Sequence, residues 1–301
     1  MKRLLWLAVF LFLAPLSLWA QEAMPLDSEL FPSRLLRRVS KVTINRSSIV
    51  VNDNVTTVIT LNNDGKPLKS VMTTANGLQT TEYTYTTSGI LEKIAEYNGT
   101  KLVRHSQFKS DASGNIISEE RYWAYGPSAP PELAGATFFE YNSNGTLKHK
   151  AVTSTAARDT MEADTYDEHG RIQETYWGRN HQWLYRTTYQ WNADASEMIE
   201  QAFIDPGTPP VFVAINRYRN SKQLLRAITS ETDTVLGKQT DTMCWKYDTA
   251  GRIIELPLSI DAKMAIHYNK LGLPQTITYG NRDWPLSDPY QEERYSYELR
   301  K

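Results

Sequence analysis

The amino-acid sequence predicts an all-β protein in which tandem β-hairpins form a twisted or rolled antiparallel sheet. A six-residue phrase, Y-D-x-x-G-R, recurs in the 301-residue chain, and strand-favouring residues fill the intervals between its copies. Helical periodicity is not sustained over three turns anywhere after the N-terminal 20 residues. At most a short helical turn is expected between Ser28 and Arg38.

The phrase itself predicts a tight hairpin turn. Asp at the first corner hydrogen-bonds back to the turn backbone, and Gly supplies the left-handed conformation that follows a type I turn. Partial copies keep the aromatic residue and the glycine four positions later, as in Tyr141 with Gly145 and Tyr85 with Gly89. The residues of the two full copies are structural turn residues on this interpretation: Tyr166, Asp167, Gly170, Arg171, Tyr247, Asp248, Gly251 and Arg252.

Counting outward from such a turn predicts the cross-strand pairs. Asp167 should lie opposite Arg171, and Tyr166 opposite Ile172, so one face carries a charge pair and the other an aromatic–aliphatic pair. We expect the motif tyrosines to share one face and to be largely buried with their aliphatic partners. These are Tyr85, Tyr141, Tyr166, Tyr247 and Tyr268, with Leu91, Leu147, Ile172 and Ile253.

The spacing of the turns predicts about nine hairpin units. The anchor glycines are Gly65, Gly89, Gly114, Gly145, Gly170, Gly251 and Gly272. Two degenerate turns, at residues 192–195 and 220–223, fill the long interval after the fifth of these glycines. We therefore expect one hairpin-repeat domain over residues 55–301, a lead-in with the first strands over residues 21–54, and an edge strand at each end of the sheet.

Residues 1–20 have the composition of a secretory signal peptide. Lys2 and Arg3 precede the apolar stretch from Leu4 to Leu13, and small residues near Ala20 suit cleavage. The stretch is shorter than the roughly 20 residues that span a bilayer. We expect a periplasmic or secreted mature chain, from a Gram-negative bacterium, with no membrane insertion.

The charge balance and the cysteine content limit which partners and which disulfides are expected. Without Lys2 and Arg3 the chain has 31 basic and 34 acidic residues, evenly scattered, which does not favour nucleic acid as a partner. Cys244 is the single cysteine, so no internal disulfide can form. We expect Cys244 to be a small buried hydrophobe, and a catalytic thiol helped by His267 is the weaker alternative.

Two proline-rich excursions and one aromatic cluster are the candidate binding surface. The segments Gly126–Pro131 and Asp205–Pro210 must leave the sheet, because proline cannot donate to a strand ladder. They are about three units apart, so a coiled sheet could bring both to one rim beside an aromatic cluster within Trp177–Trp191. The alternative is that the two segments are surface insertions and that the aromatic cluster is only the packed face of the sheet. The candidate residues are Pro127, Pro130, Pro131, Trp177, Trp183, Tyr185, Trp191, Pro206, Pro209 and Pro210.

With two full Y-D-x-x-G-R copies, the chain resembles the RHS/YD-repeat family over roughly residues 55–300. The resemblance implies a spiralling sheet of hairpins, which closes into a hollow shell in the large toxin-associated members. About nine units are too few to enclose a toxin domain. Asp288-Pro289 is not followed by the glycine and leucine of the family's self-cleavage motif, so encapsulation and autoproteolysis are not implied here.

The sequence favours a binding role over catalysis. No nucleophile elbow, zinc-protease helix, phosphate-binding loop or EF-hand loop occurs, so we expect no catalytic residue, no cofactor and no metal site. The preferred hypothesis is a non-enzymatic scaffold that presents a β surface to a protein partner in the bacterial envelope. A carbohydrate-binding module is the second hypothesis, because 17 tyrosines and 8 tryptophans exceed 8 phenylalanines. An undetected hydrolase is the third.

Overall fold

A computed structural model describes residues 30–48, 53–124, 129–154, 159–179, 182–204, 209–219, 223–233, 237–258, 262–281 and 291–300. The expected signal peptide therefore lies outside the described residues. These residues are almost entirely antiparallel β-structure, which confirms the predicted fold class. Their one helix is a single short turn, α1 (Ser33–Leu36), inside the segment where a helical turn was expected.

The chain divides into two compact units, and each is described by itself. Unit 1 comprises residues 1–84, 94–101 and 245–301, and unit 2 comprises residues 85–93 and 102–244. The strands that lie wholly or mostly in unit 1 are β1 (Val39–Ser48), β2 (Asp53–Leu61), β3 (Pro67–Thr74), β4 (Gly77–Tyr85), β5 (Leu91–Asn98), β17 (Lys246–Tyr247), β18 (Ile253–Pro257), β19 (Ala262–Tyr268), β20 (Pro274–Asn281) and β21 (Gln291–Leu299).

Unit 2 contains the strands β6 (Lys101–Ser110), β7 (Ile116–Trp123), β8 (Glu132–Tyr141), β9 (Leu147–Ser154), β10 (Asp159–Tyr166), β11 (Ile172–Arg179), β12 (Gln182–Trp191), β13 (Glu197–Phe203), β14 (Phe212–Arg219), β15 (Gln223–Asp233) and β16 (Gly237–Cys244). Each pairs antiparallel with the next, from β6 through to β16. Alternate connections therefore fall at the same end of the strands.

This alternation gives unit 2 two different ends. The turns at residues 111–115, 142–146, 167–171 and 192–196 all lie at one end, which we call the turn end. The strand ends that flank residues 124–131, 155–158, 180–181 and 204–211 lie at the other, which we call the loop end. The repeated phrase is thus confined to the turn end, and the connections that vary in length and composition are gathered at the loop end.

The register confirms the predicted cross-strand pairs. Tyr166 pairs with Ile172, with a β-bulge beside it, and Tyr247 pairs with Ile253 in the same way. Tyr141 pairs with Leu147. The predicted anchor glycines all have positive φ, between 75° and 89°: Gly65, Gly89, Gly114, Gly145, Gly170, Gly251 and Gly272.

The expected burial of the motif tyrosines is wrong in degree. Tyr141, Tyr166 and Tyr268 are half-buried rather than buried, and of their predicted aliphatic partners only Ile172 is buried. The reason is polar, because the hydroxyl of Tyr141 donates to the carbonyl of Ile116 at 2.9 Å. A ring that keeps its hydroxyl on a backbone carbonyl at the strand end cannot withdraw fully into the core.

The expected edge strands at the two ends of the chain are also wrong. In unit 1 the first strand, β1, pairs with β2 on one side and with the last strand, β21, on the other. Pairing the first strand with the last satisfies backbone groups that would otherwise be exposed along both strands. The core of unit 1 lies beside this seam and contains Phe31, Leu36, Val39, Val42, Ile59, Leu61 and Leu273.

Cys244 is exposed rather than buried, which corrects the expectation for this residue. It is the last residue of β16 and pairs in register with Arg226 of β15. A position at the strand end, opposite a charged residue type, is at the border of the packed face instead of within it.

Candidate functional site

The Y-D-x-x-G-R residues form a bonded turn. The amide of Asp167 donates to the carbonyl of Arg171 at 2.8 Å, and the amide of Gly170 donates back to Asp167 at 2.9 Å. The Asp167 carboxylate accepts from the backbone amides of His169 and Arg171 and from Nε of Arg171 at 2.6 Å. Asp248 makes the same set of contacts with Ala250 and Arg252.

These hydrogen bonds set the ionisation of the motif carboxylates. Burial by itself raises the pKa of Asp167, but the amides of Arg171 and His169 and the Arg171 guanidinium outweigh it, so the pKa lies below its usual value. The same groups around Asp248 lower the pKa of that carboxyl. Both carboxylates are therefore charged partners inside a turn, a structural use of their chemistry.

The motif arginines also join consecutive hairpins. The guanidinium carbon of Arg252 lies 4.3 Å from the ring centroid of Tyr268, and that of Arg171 lies 5.7 Å from the ring of Trp191. Each aromatic residue is the one that precedes the next turn in its unit. Cation–π contact thus links an arginine of one hairpin to the aromatic of the following hairpin.

The same aromatics donate a hydrogen bond back to the preceding hairpin. Nε1 of Trp191 donates to the carbonyl of Ile172 at 3.1 Å, and the hydroxyl of Tyr268 donates to Ile253 at 2.8 Å. In each case the acceptor is the second residue after the anchor glycine. The link between hairpins was missed at the sequence level, although an aromatic residue at a fixed position before most of the turns was its visible signal.

The predicted aromatic cluster is divided between packing and exposure. Tyr189 is buried with Ile172 and Met198, and Trp191 packs against this group. Trp177 lies opposite Tyr185 on the same face of β11 and β12, but the Trp177 side chain is 46% exposed. The side chain of Trp183 lies outside the described residues. Only part of the cluster can therefore meet a ligand.

The exposed members belong to a larger set at the loop end of unit 2. Large apolar side chains that are more than two-fifths exposed lie within three residues of that end on four strands, and one more lies just beyond the end of a fifth strand. They are Trp123 on β7, Leu133 on β8, Trp177 on β11, Leu184 on β12 and Ile204 after β13. We call these five residues the loop-end apolar set.

Both proline-rich excursions connect strands at this same end. Pro130 and Pro209 are exposed, and Pro131 and Pro210 are half-buried. The amide of Val211 donates to the carbonyl of Ala202 at 2.8 Å, which ties the second excursion to β13. Pro127 and Pro206 lie outside the described residues. The topology of unit 2 therefore places the strand ends that flank the two excursions at the same end as Trp177.

Several buried polar residues lie on the packed face of unit 2. Nζ of Lys150 lies 2.7 Å from Glu162 and 3.3 Å from Asp164, and Oγ1 of Thr175 donates to Asp164 at 2.8 Å. The Lys150 and Asp164 side chains are 2% and 0% exposed. Alternating charged residues gave no sequence signal for such burial, since the same pattern is typical of surface strands.

Glu200 differs from this paired group. It lies opposite the buried Tyr189 on the same face, it is buried, and one of its carboxylate oxygens has no hydrogen-bond partner. Burial raises the pKa of Glu200 to about 7, with a hydrogen bond from Asn216 acting in the opposite direction. A carboxyl in this setting holds its proton up to near-neutral pH.

The described part of the chain offers no evident centre for a metal ion. Within it, no three His, Cys, Asp or Glu side chains converge in an arrangement that could hold one. Nor does the helix in the described ranges have the length and apolar character needed to cross a membrane. Among the described residues, the loop-end apolar set and the prolines at the same end are therefore the candidate binding surface.

Comparison with known proteins does not assign the chain to a family. No protein-family model matches it, and no curated protein matches it.

Three solved structures illustrate the similarities that do exist. A porin-like protein from Bacteroides uniformis is 10% identical, with a TM-score of 0.37 over 86% of this chain and 98% of that one. A chain of the Photorhabdus luminescens Tc holotoxin pore is 12% identical, with a TM-score of 0.30 over 75% of this chain and 15% of that one. Transferrin Binding Protein B from Haemophilus parasuis is 6% identical, with a TM-score of 0.21 over 87% of this chain and 76% of that one. All three TM-scores are below 0.5, so none carries a functional argument.

Proposed function

We propose that the chain is an exported, non-enzymatic binding protein of the bacterial envelope whose unit 2 presents its loop end to a protein partner. The observation that carries this proposal is the loop-end apolar set. Five large apolar side chains are exposed near one end of the hairpin array of unit 2, and interaction surfaces are commonly built from exposed apolar side chains that lie close together. The expected signal peptide, residues 1–20, supports export to the periplasm or beyond.

The composition of the set favours protein over glycan. Three of its members, Leu133, Leu184 and Ile204, are aliphatic and offer no ring on which a sugar can stack. Exposed prolines lie in the connections at the same end of unit 2. A loop ordered by proline loses less entropy on binding. The aromatic members Trp123 and Trp177 are the observation that keeps a carbohydrate-binding module as the second candidate.

The burial of the charged groups supports a non-enzymatic role. Lys150, Asp164 and Glu200 lie on the packed face and are occupied with folding contacts or shielded from solvent. The bonded turns support a second part of the proposal, that the chain is a short member of the RHS/YD-repeat family. In such a family member the repeated phrase builds the scaffold, and the variable connections bind the partner.

The test is affinity capture from a native periplasmic extract with residues 21–301 as bait. The variant Trp177→Ser/Leu184→Ser removes two apolar side chains from the loop end. The matched control is Ile117→Ser/Phe138→Ser, which removes two exposed apolar side chains located away from that end. We expect one specific protein to be retained by wild type and control and to be lost from the loop-end variant.

The same three proteins are applied to a glycan array. A glycan signal that the loop-end variant loses, without a captured protein, would replace the protein-binding proposal with the carbohydrate-binding one. Equal capture by all three baits would show that the loop-end apolar set is not the contact surface.

A further inference from the structure

The last strand of the chain occupies a slot in unit 1 between β1 and β20. It shares nine register pairs with β1, from Val39 with Leu299 to Ser48 with Gln291. With β20, the strand that precedes it in the chain, it shares only four pairs. The first strand of the molecule therefore holds β21 more extensively than its own hairpin neighbour does.

Side chains of β21 fit this slot specifically. Glu298 forms an ion pair with Lys41, and its carbonyl accepts from Oγ of Ser40 at 3.1 Å. The hydroxyl of Tyr297 donates to the carbonyl of Pro274, which repeats the aromatic-to-carbonyl bond seen between hairpins elsewhere. Tyr295 and Tyr297 also pack against the core of unit 1.

Arg300, the residue after β21, holds the end of this strand in place by hydrogen bonds. Its backbone amide donates to Arg38 at 2.9 Å, and its Nε donates to the carbonyl of Arg37 at 3.1 Å. Nη1 donates to Oδ1 of Asn63 at 3.0 Å, and Nη2 donates to the carbonyl of Leu61 at 2.9 Å and to that of Asn62. One guanidinium thus bridges the segment before β1 and the turn after β2.

We propose that the space between β1 and β20 is a strand-acceptor site, that Arg300 is the clasp retaining the chain's own β21 in it, and that its alternative occupant is β21 of a second copy. A second copy is the partner that the contacts select, because its β21 carries the same register and the same Lys41, Ser40 and Pro274 partners. Exchange of an identical element forms a dimer at low cost, since every contact of the closed monomer is remade between chains.

The arrangement of the chain suits such an exchange. Nine residues, 282–290, separate β20 from β21 in the sequence, which is more than a tight hairpin turn needs. When Arg300 releases, the backbone groups of β1 that β21 had satisfied become an open edge, which accepts an added strand. Arg300 therefore controls how readily β21 is released, and so how fast the strand of one copy can be exchanged for that of another.

The first test compares Arg300→Ala with Arg294→Ala in residues 21–301, refolded at high protein concentration. Arg294 is the matched control, because it lies on the same strand with a 75% exposed side chain and pairs with Glu292 of that strand. Native mass spectrometry then follows the dimer fraction of the isolated monomers with time at that concentration. We expect Arg300→Ala to raise the rate of dimer formation about tenfold, because opening the monomer no longer breaks the hydrogen bonds of a charged group. The final dimer-to-monomer ratio should not change, since those bonds are lost from both states.

The second test identifies the exchanged strand. Thr43 and Ser296 face each other in the β1–β21 register, so one chain carries Thr43→Cys and a second carries Ser296→Cys, both with Cys244→Ser. A disulfide between the two chains requires β21 of one copy to lie on β1 of the other. We expect this cross-link with Arg300→Ala in both chains, and a synthetic peptide of residues 291–301 in excess should suppress it.

Three outcomes would overturn the proposal. One is an Arg300→Ala protein that stays monomeric with wild-type hydrogen exchange over residues 291–299. Another is a dimer that gives no cross-link, and the third is cross-linking that is equally fast with and without Arg300. If Arg300→Ala does not fold, Arg300→Lys keeps the charge and the backbone bond to Arg38 but loses the planar guanidinium. The rate of dimer formation and the cross-link are then measured with that variant.

Discussion

The guanidinium of Arg252 lies over the ring of Tyr268, with 4.3 Å between the guanidinium carbon and the ring centroid. The same guanidinium pairs with Asp248 in its own turn, and the hydroxyl of Tyr268 returns a hydrogen bond to Ile253. Two contacts of different kinds therefore join the two hairpins, and the ion pair holds the arginine within its own turn. The phrase Y-D-x-x-G-R is a link between neighbours as well as a turn.

Removing this link should destabilise unit 1 measurably. We expect Arg252→Ala to lower the free energy of unfolding by about 1 kcal/mol, from a partly exposed cation–π contact and ion pair. Arg252→Lys should lie between wild type and Arg252→Ala, because lysine keeps the charge but not the planar fork. Lys246→Ala, at an exposed ion pair with Glu255, is the control. Chemical denaturation that ranks Lys246→Ala with Arg252→Ala would contradict the linking role.

The turn glycines allow backbone strain to be separated from crowding. A Cβ at Gly145 would meet no atom within 4 Å, whereas one at Gly170 would lie 3.3 Å from Cβ of Thr146 in the neighbouring turn. Gly145→Val should therefore cost more than about 1 kcal/mol through its positive φ alone, and Gly170→Val should cost more again. Thermal melting of both variants measures the difference, and unchanged melting temperatures would rule out the bulged-turn geometry.

The structure raises the expected cost of losing Asp167. From the sequence, Asp167→Ala should cost less than a glycine substitution, because surface ion pairs are weak. The carboxylate in fact accepts two backbone amides as well as the Arg171 guanidinium, so its loss resembles the loss of a helix cap, about 0.5–2 kcal/mol. His169→Ala, at the exposed tip of the same turn, should leave the unfolding free energy unchanged. Equal stabilities for the two variants would reject the capping role.

Glu200 predicts a pH dependence of stability with a definite sign. Its pKa is raised by burial to about 7 in the folded state, above an unfolded value near 4.3. The folded state then binds the extra proton, so the stability from this group is complete below about pH 4.3 and declines as pH rises to 7. The decline amounts to about 3 kcal/mol.

Glu200→Gln should remove that decline. We expect the unfolding free energy of Glu200→Gln relative to wild type to increase between pH 4.5 and pH 8, measured by denaturant titration at each pH. Glu168→Gln is the control, since the Glu168 side chain is 84% exposed. A difference between Glu200→Gln and wild type that does not change with pH would show that Glu200 is charged in the folded protein.

The sequence predicted those parts of the fold that local chemistry determines. The Asp and Gly of each turn set the hairpin, and the turn set the register of Tyr166 with Ile172, because all of these residues are neighbours along the chain. The pairing of β1 with β21 could not be predicted in this way, since Val42 and Tyr297 are 255 positions apart and no motif connects them.

The candidate site was predicted in part for a related reason. Proline forced the two excursions out of the sheet, and the alternation of antiparallel strands placed them at one end of unit 2. Burial at Lys150 and Asp164 was not predictable, because a strand with alternating charges is typical of either a solvated face or a paired interior. The turn after β12 shows the limit of a motif search. Trp191 occupies the position of the motif tyrosine, and Ala195, with a φ of 54°, occupies the position of the glycine.

The separation of turn end from loop end restricts how such a chain can change its length. Inserting a single strand would send every later turn to the opposite end and break each link between an arginine and the aromatic of the next hairpin. Inserting a whole hairpin leaves the links in phase. Relatives of this protein should therefore differ by even numbers of strands, and gene duplication within the array should proceed in segments of about 25 residues.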